Sequence, residues 1–226
     1  MVRSYAHGYT DTNFLIPELV SGIQFKKGPY FADEGDFSAA GAANVNYANV
    51  LPRPVVSLAA GGDGWRRTLA MASPRVGAGH LLAAAEVTAF DGPWVRQDGF
   101  RKLNGVVRYS QGDARNGLSV TGMGYWADWE STDQVPTRAV QPGQISRFGF
   151  IDPSDQGHTE RQSLAACSAR LLFGRPTESA VGGQVRHDWI DPVGLYRAVG
   201  GVRTTTTRED RVRQTLVGVC AQSDVQ

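Results

Sequence analysis

Between residues 54 and 173 several segments alternate apolar and polar residues with a period of two, and this limits what the chain can fold into more than any other feature. Successive side chains of a strand point to opposite faces, so this period marks a sheet with two unlike faces. Six segments read as strands: 54–60, 65–73, 80–90, 101–110, 118–129 and 159–173. In the third, Leu81, Ala83, Ala85, Val87 and Ala89 share one face, while Glu86 and Thr88 take the other. In the fourth, Leu103, Val107 and Tyr109 oppose Asn104, Arg108 and Ser110; in the fifth, Leu118, Val120 and Trp126 oppose Ser119 and Thr121. Such a sheet suits a transmembrane wall with a polar lumen, or a soluble antiparallel sandwich with one wet face.

Composition removes other classes. A hydrophobic content of 41% and a mean hydropathy of −0.28, with no apolar run of 18 residues, exclude a helical membrane protein. They do not exclude a barrel wall, which needs only alternate residues apolar over about ten residues. With 23 Lys+Arg against 22 Asp+Glu the chain has no strong field, so no nucleic-acid partner is expected. There is no Gly-x-Ser-x-Gly elbow, phosphate loop or His-Glu-x-x-His, and the four histidines are scattered; neither an enzyme nor a cofactor is expected. Cys167 and Cys220 form neither a metal-ligand spacing nor a disulfide framework.

The connections are unequal. PRVGAG (74–79) and QGDARNG (111–117) are short and turn-like, whereas DGPWVRQDGF (91–100) and the stretch from Glu130 to Gly157 are long. Short turns on one side and long loops on the other are the pattern of outer-membrane barrels, although the short GGDG (61–64) falls on the long-loop side.

Ahead of the strands, residues 14–47 read FLIPELVSGIQFKKGPYFADEGDFSAAGAANVNY, a short strand, a Gly-Pro, a Gly/Ala-rich run and a second strand. Taken alone this suits a small-residue loop between two strands, with Pro29 withholding a donor and Gly35 and Gly41 free to take positive φ. It also resembles the end of the plug domain of TonB-dependent outer-membrane receptors, through Ile23, Gly28, Pro29, Gly35, Asp36, Gly41 and Asn44. HGYTDTNFLIPEL (7–19), STDQVPTRAV (131–140) and ISRFGFIDPS (145–154) also resemble that family, and the likeness runs over roughly residues 5–170. Where many members have Tyr-Gly, this chain has Glu34-Gly35.

The fold expected on this resemblance is all-β: a partial antiparallel transmembrane β-barrel preceded by the C-terminal part of a plug domain. Residues 1–52 are the plug part, 53–173 the first six or so barrel strands, and 174–226 a divergent tail, expected to be frameshifted or non-native. The resemblance implies energised uptake of a scarce small-molecule ligand, such as a metal-siderophore chelate, across the outer membrane of a Gram-negative bacterium. Outer-membrane lipid and the TonB complex would be its partners. The start MVRSYAHGYTDTNF has no apolar signal-peptide core, so the chain is expected to be a fragment, non-functional by itself.

For ligand contact the long loop and its entry offer Trp129, Asp133, Gln134, Arg138 and Arg147, aromatics beside donors and acceptors. Tyr125 and Trp126 read instead as an aromatic girdle at a membrane boundary. DPSDQGHTE (152–160) reads as a turn rather than a metal loop. The alternative function is a soluble β-sandwich that binds a small ligand.

Overall fold

A computed structural model describes residues 12–30, 40–113, 116–132, 135–151, 158–173, 178–199 and 202–224. The chain is all-β with antiparallel sheets. A 3₁₀ turn at Pro17–Leu19 leads into a two-stranded hairpin, β1 (Val20–Lys27) and β2 (Gly41–Tyr47). The main sheet follows: β3 (Val55–Ala60), β4 (Arg66–Ala72), the two-residue β5 (Arg75–Val76), β6 (Gly79–Phe90), β7 (Phe100–Gly112), β8 (Gly117–Ser131), β9 (His158–Phe173), β10 (Glu178–Val199) and β11 (Val202–Asp224). It is a meander in the order β11-β10-β9-β8-β7-β6-β4-β3, with β5 paired to β6. Among the described residues the sheet does not close, and β3 and β11 stay at its two ends.

All six strands expected from 54 to 173 form, and the register assigns their faces. Leu103 lies opposite Trp126 and Val87, and Val107 opposite Gly122 and Ala83, so all share one face. That face is the apolar one read from the sequence, and it is open: Val56, Leu58, Val87, Leu103, Val107, Leu171 and Val185 are all exposed. The opposite face is covered, and Leu69, Leu82, Glu86, Asn104 and Val106 are almost wholly buried there. Ile16 and Leu19, fully buried in the segment before β1, pack on Leu69, Met71, Leu82, Ala84 and Val106. Burying a Leu or Ile side chain contributes about 1.5–3 kcal/mol, so these two anchor the N-terminal segment on the sheet.

The sheet continues beyond residue 173. The stretch expected to diverge forms β10 and β11, which pair along most of their length. Pro192 lies where the register shifts between Ile190 and Val193, an irregularity that accommodates a residue with no N–H to give. The long loop also contains a four-residue helix, α1 (Thr137–Val140), which the sequence reading did not foresee.

Tyr125 does not belong to an outward girdle. It is buried on the covered face with its hydroxyl 3.4 Å from Gln162 Oε1, because the strand period sends it opposite to its neighbour Trp126. Trp126 faces outward and is partly exposed.

Candidate functional site

The residues that do most to join distant parts of the chain lie between the N-terminal segment and the covered face of the sheet. β6 aims Glu86 at that seam, one residue out of phase with Ala85 and Val87, and burial there leaves the residue 1% exposed. An isolated carboxylate at such a site would be costly, so it must be paired. Arg67 on β4 donates from Nε to Glu86 Oε1 at 2.6 Å, and Lys102 Nζ on β7 lies 3.1 Å from Oε2. The same Arg67 reaches across the seam, its Nη1 and Nη2 donating to the two carboxylate oxygens of Glu18 at 2.5 and 2.8 Å. Glu18 belongs to the 3₁₀ turn, one residue before the buried Leu19. Two acids and two bases thus form a neutral network, with Arg67 linking the N-terminal segment to the sheet. The Arg67 hydrogen bond holds the Glu18 carboxyl below its usual range, although partial burial opposes it.

Polar contacts continue along the seam. Asn104 Nδ2 donates to the carbonyl of Phe14 at 2.6 Å, and Arg108 Nη1 to the carbonyl of Tyr47 at 3.2 Å. The Tyr47 hydroxyl accepts from the backbone N–H of Ile16 at 3.1 Å. Burial pushes the Tyr47 phenol up, so it stays protonated at neutral pH. Leu51 exchanges hydrogen bonds with the Ser73 hydroxyl, tying the exit of the hairpin to the end of β4. The segment 12–51 is therefore held by its backbone at several points and by one bidentate ion pair.

The residues expected at the plug end fall in the hairpin. Gly28 has φ 84 and its N–H donates to Ala40 at 3.1 Å; Pro29 follows it. Gly41 has φ 132, and a side chain there would run into the carbonyl of Lys26, so both the conformation and the close approach call for glycine. Asn44 sits in β2 opposite Gln24. Gly35 and Asp36 lie outside the described residues.

Of the ligand candidates, Trp129, Arg138 and Arg147 are among the described residues, each in its own surroundings. Trp129 is on β8, near the entry to the loop, half-buried against Phe100 at 6.0 Å between ring centroids. Arg138 is exposed on α1. Arg147 lies 4.4 Å over the ring of Phe148, which meets Trp94 edge-on at 5.8 Å. The backbone N–H of Val95 donates to the carbonyl of Phe148 at 2.9 Å, so the two long connections pack on one another. Asp133 and Gln134 lie outside the described residues, as does most of DPSDQGHTE. Among the described residues no group of His, Cys, Asp and Glu could hold a metal ion. Cys167 is a free, exposed thiol on the open face.

The network Glu18–Arg67–Glu86–Lys102 was not singled out in the sequence, though Glu86 stood on the polar face of its strand. Arg67 is 49 residues from Glu18 and 19 from Glu86, and no local spacing connects them. No protein-family model matches this chain, and neither a curated protein nor a solved structure does.

Proposed function

We propose that this chain is part of the wall and plug of an outer-membrane receptor of the TonB-dependent type, serving energised uptake of a small ligand such as a metal chelate. The polarity of the main sheet is the observation that carries the reading. Its open face is apolar and its covered face bears the charges, the reverse of a soluble one-layer sheet. The open-face positions Leu81–Val87, Leu103–Tyr109, Val120–Trp126 and Ala165–Leu171 contain no charged residue. Arg66, Arg101, Asp128 and Arg161 come level with one another at the end of this band, in a register that also includes Ala89. Trp126 lies one position inside that row and Tyr109 and Phe173 toward the other end, which suits aromatic rings at the two boundaries of a bilayer. Leu118–Trp126 is nine residues long, which meets the roughly 9–11 residues that a tilted transmembrane strand needs.

Residues 12–30 and 40–51 on the covered face, with their Gly-Pro hairpin, support the plug part of the reading together with the family resemblance of these residues. In lipid a sheet edge is costly, so such a wall works only when closed by further strands. The chain by itself is then expected to transport nothing. A soluble sandwich would need a second layer over Val87, Leu103 and Val107; the β1–β2 hairpin instead lies on the side of Tyr47 and Arg108.

The test uses Cys167, with Cys220 replaced by Ser. The full chain is refolded into lipid vesicles and Cys167 is labelled with an environment-sensitive fluorophore. Quenching by nitroxide lipids with protection from aqueous iodide is expected. A detergent-free soluble monomer whose label iodide quenches freely would sink the proposal.

A further inference from the structure

Among the described residues the main sheet has two unpaired edges, β3 at one end and β11 at the other. An edge presents a row of backbone donors and acceptors, and natural sheets guard it with charge, proline or bulges. Charge guards only part of these two. β3 carries none, and β11 has its charges at Arg203 and from Arg208 to Arg213, then runs uncharged from Gln214 to Ser223. On the open face the register puts Val56 and Leu58 in rows with Ala85 and Val87, and Val217 and Val219 in rows with Val185 and Gly183. These four edge residues are 71–82% exposed, against 52–53% for Val87, Leu103 and Val107 in mid-sheet. The difference is the neighbour that each edge strand lacks on one side.

Seven antiparallel pairings separate β3 from β11, so the two edge strands run in opposite directions. A β3 edge can therefore add to a β11 edge as one more antiparallel ladder once the sheet curls. Within one copy this would close a barrel of eight strands, whose interior is just wide enough for side chains or one small ligand. Here the covered face carries the β1–β2 hairpin and the 3₁₀ turn, with Ile16 and Leu19 packed on it. That content excludes closure within one copy. It is compatible with closure by two, since sixteen strands enclose a lumen of channel width.

We infer that two copies of this chain join edge to edge, β3 of each pairing with β11 of the other, in a closed sixteen-stranded wall around both N-terminal segments. The two seams are identical, and a head-to-tail contact that closes in this way leaves no edge exposed to lipid. Each seam continues the antiparallel ladder and gives Val56, Leu58, Val217 and Val219 their missing neighbours. Uncharged β3 is matched by the uncharged stretch of β11, which is longer and leaves room for the stagger that barrel closure requires. The inference rests on the wall reading, because lipid is what makes an open edge so costly, and it names the source of the strands that complete the wall.

The experiment measures the mass of the full chain, refolded in detergent micelles, by sedimentation with the detergent density-matched. A closed pair has twice the 24.4 kDa of one chain and does not grow as protein is concentrated, because both edges of each copy are used. A monomer, or a series of species that lengthens with concentration, overturns the inference. Proline on β3 tests the seam itself. Adjacent backbone N–H groups of a strand point to opposite sides, so of Ser57→Pro and Leu58→Pro one spares the β3–β4 ladder and takes a donor from the outer edge alone. That variant should raise the concentration for half-dissociation about tenfold or more, since it removes a ladder bond from both seams. A pair unmoved by either proline overturns the inference. Where neither variant folds, Ser57→Cys with Cys167→Ser leaves one thiol on β3 and the native Cys220 on β11. A flexible thiol-to-thiol linker should then join two copies covalently, and the absence of a covalent dimer overturns the pair. A protein that shields Cys167 in vesicles at single-chain mass would keep the wall and lose the pair; a detergent-free dimer with Cys167 open to iodide would keep the pair and lose the wall.

Discussion

Val106 and Val107 are neighbours of the same residue type in β7, yet one is 1% exposed and the other 53%. Val106 is packed beneath Ile16 and Leu19; Val107, between Ala83 and Gly122 in the register, is left half-exposed by the described residues. The whole sheet repeats this contrast. Its covered face mixes apolar residues with charges, among them the paired Arg67, Glu86 and Lys102, whereas its open face is apolar over several strands and is left open by the described residues. Hydrophobicity therefore does not distinguish interior from exterior here. What distinguishes the faces over β6–β9 is where charge is placed: the open face is uncharged from Leu103 to Tyr109 and at the positions level with them, and charge returns at its end with Arg101, Asp128 and Arg161.

The largest effect expected from breaking this contrast is at Arg67. Replacing it with Met removes one ligand of the buried Glu86 and the whole attachment of Glu18. Breaking a buried pair from one side costs about 3–5 kcal/mol, because an uncompensated charge remains. Arg67→Met should therefore lower the denaturant midpoint steeply, with Lys102 left to offset part of the charge on Glu86. Adding Glu86→Leu should recover much of the loss, since no buried carboxylate then needs a partner. A double variant as unstable as the single one would show that Arg67 acts through its Glu18 contact alone.

A second substitution sharpens the comparison from the open side. Arg at Val107 is placed in the middle of the uncharged band. In a bilayer the cost at mid-depth is about 2–4 kcal/mol. In water an exposed substitution of this kind stays within about 0.5 kcal/mol. Folding measured in lipid vesicles for Val107→Arg and Val107→Leu separates the two environments: a penalty for Arg alone marks lipid, and equal stabilities mark water.

Much of the fold was legible because stretches of β6, β7 and β8 alternate apolar and polar residues, and such alternation marks both the strand and its faces. Leu81, Ala83, Ala85 and Val87 could be assigned together without any partner in view. The same rule would have separated Tyr125 from Trp126, which no strand can place on one face. β10 and β11 were not legible, because runs such as Thr204–Thr207 and the Gly182–Gly183 pair carry no two-residue contrast, and their ladder depends on pairing with one another and with β9. The seam was hidden for a different reason. Its contacts join residues far apart in sequence, and an ion pair such as Glu18–Arg67 leaves no periodic trace in either segment. The long loop was visible as a connection, but its aromatic and basic residues turn out to contact one another in separate pairs, so composition alone could not say which of them converge.

The smallest predicted effect concerns acid. Glu18 has its carboxyl pKa held below the usual value of 4.5, chiefly by the hydrogen bond from Arg67. A depressed folded-state pKa adds stability above the unfolded value, and that stability is lost as pH falls through the folded one. The side chain of Glu18 is 36% exposed, so solvent screens the pair and its contribution is at most about 1 kcal/mol. Between pH 7 and about 5 the midpoint should change little from this group, and below about 4.5 the pair should progressively weaken. Glu18→Gln removes the titrating group while keeping the shape, so its stability should fall less than that of the parent over the same acid range. Chemical denaturation of both proteins from pH 7 to pH 3 gives the difference directly. If the two curves stay parallel, Glu18 contributes no pH-dependent hold on the N-terminal segment, and the anchoring rests on Ile16, Leu19 and the backbone bonds from Asn104 and Arg108.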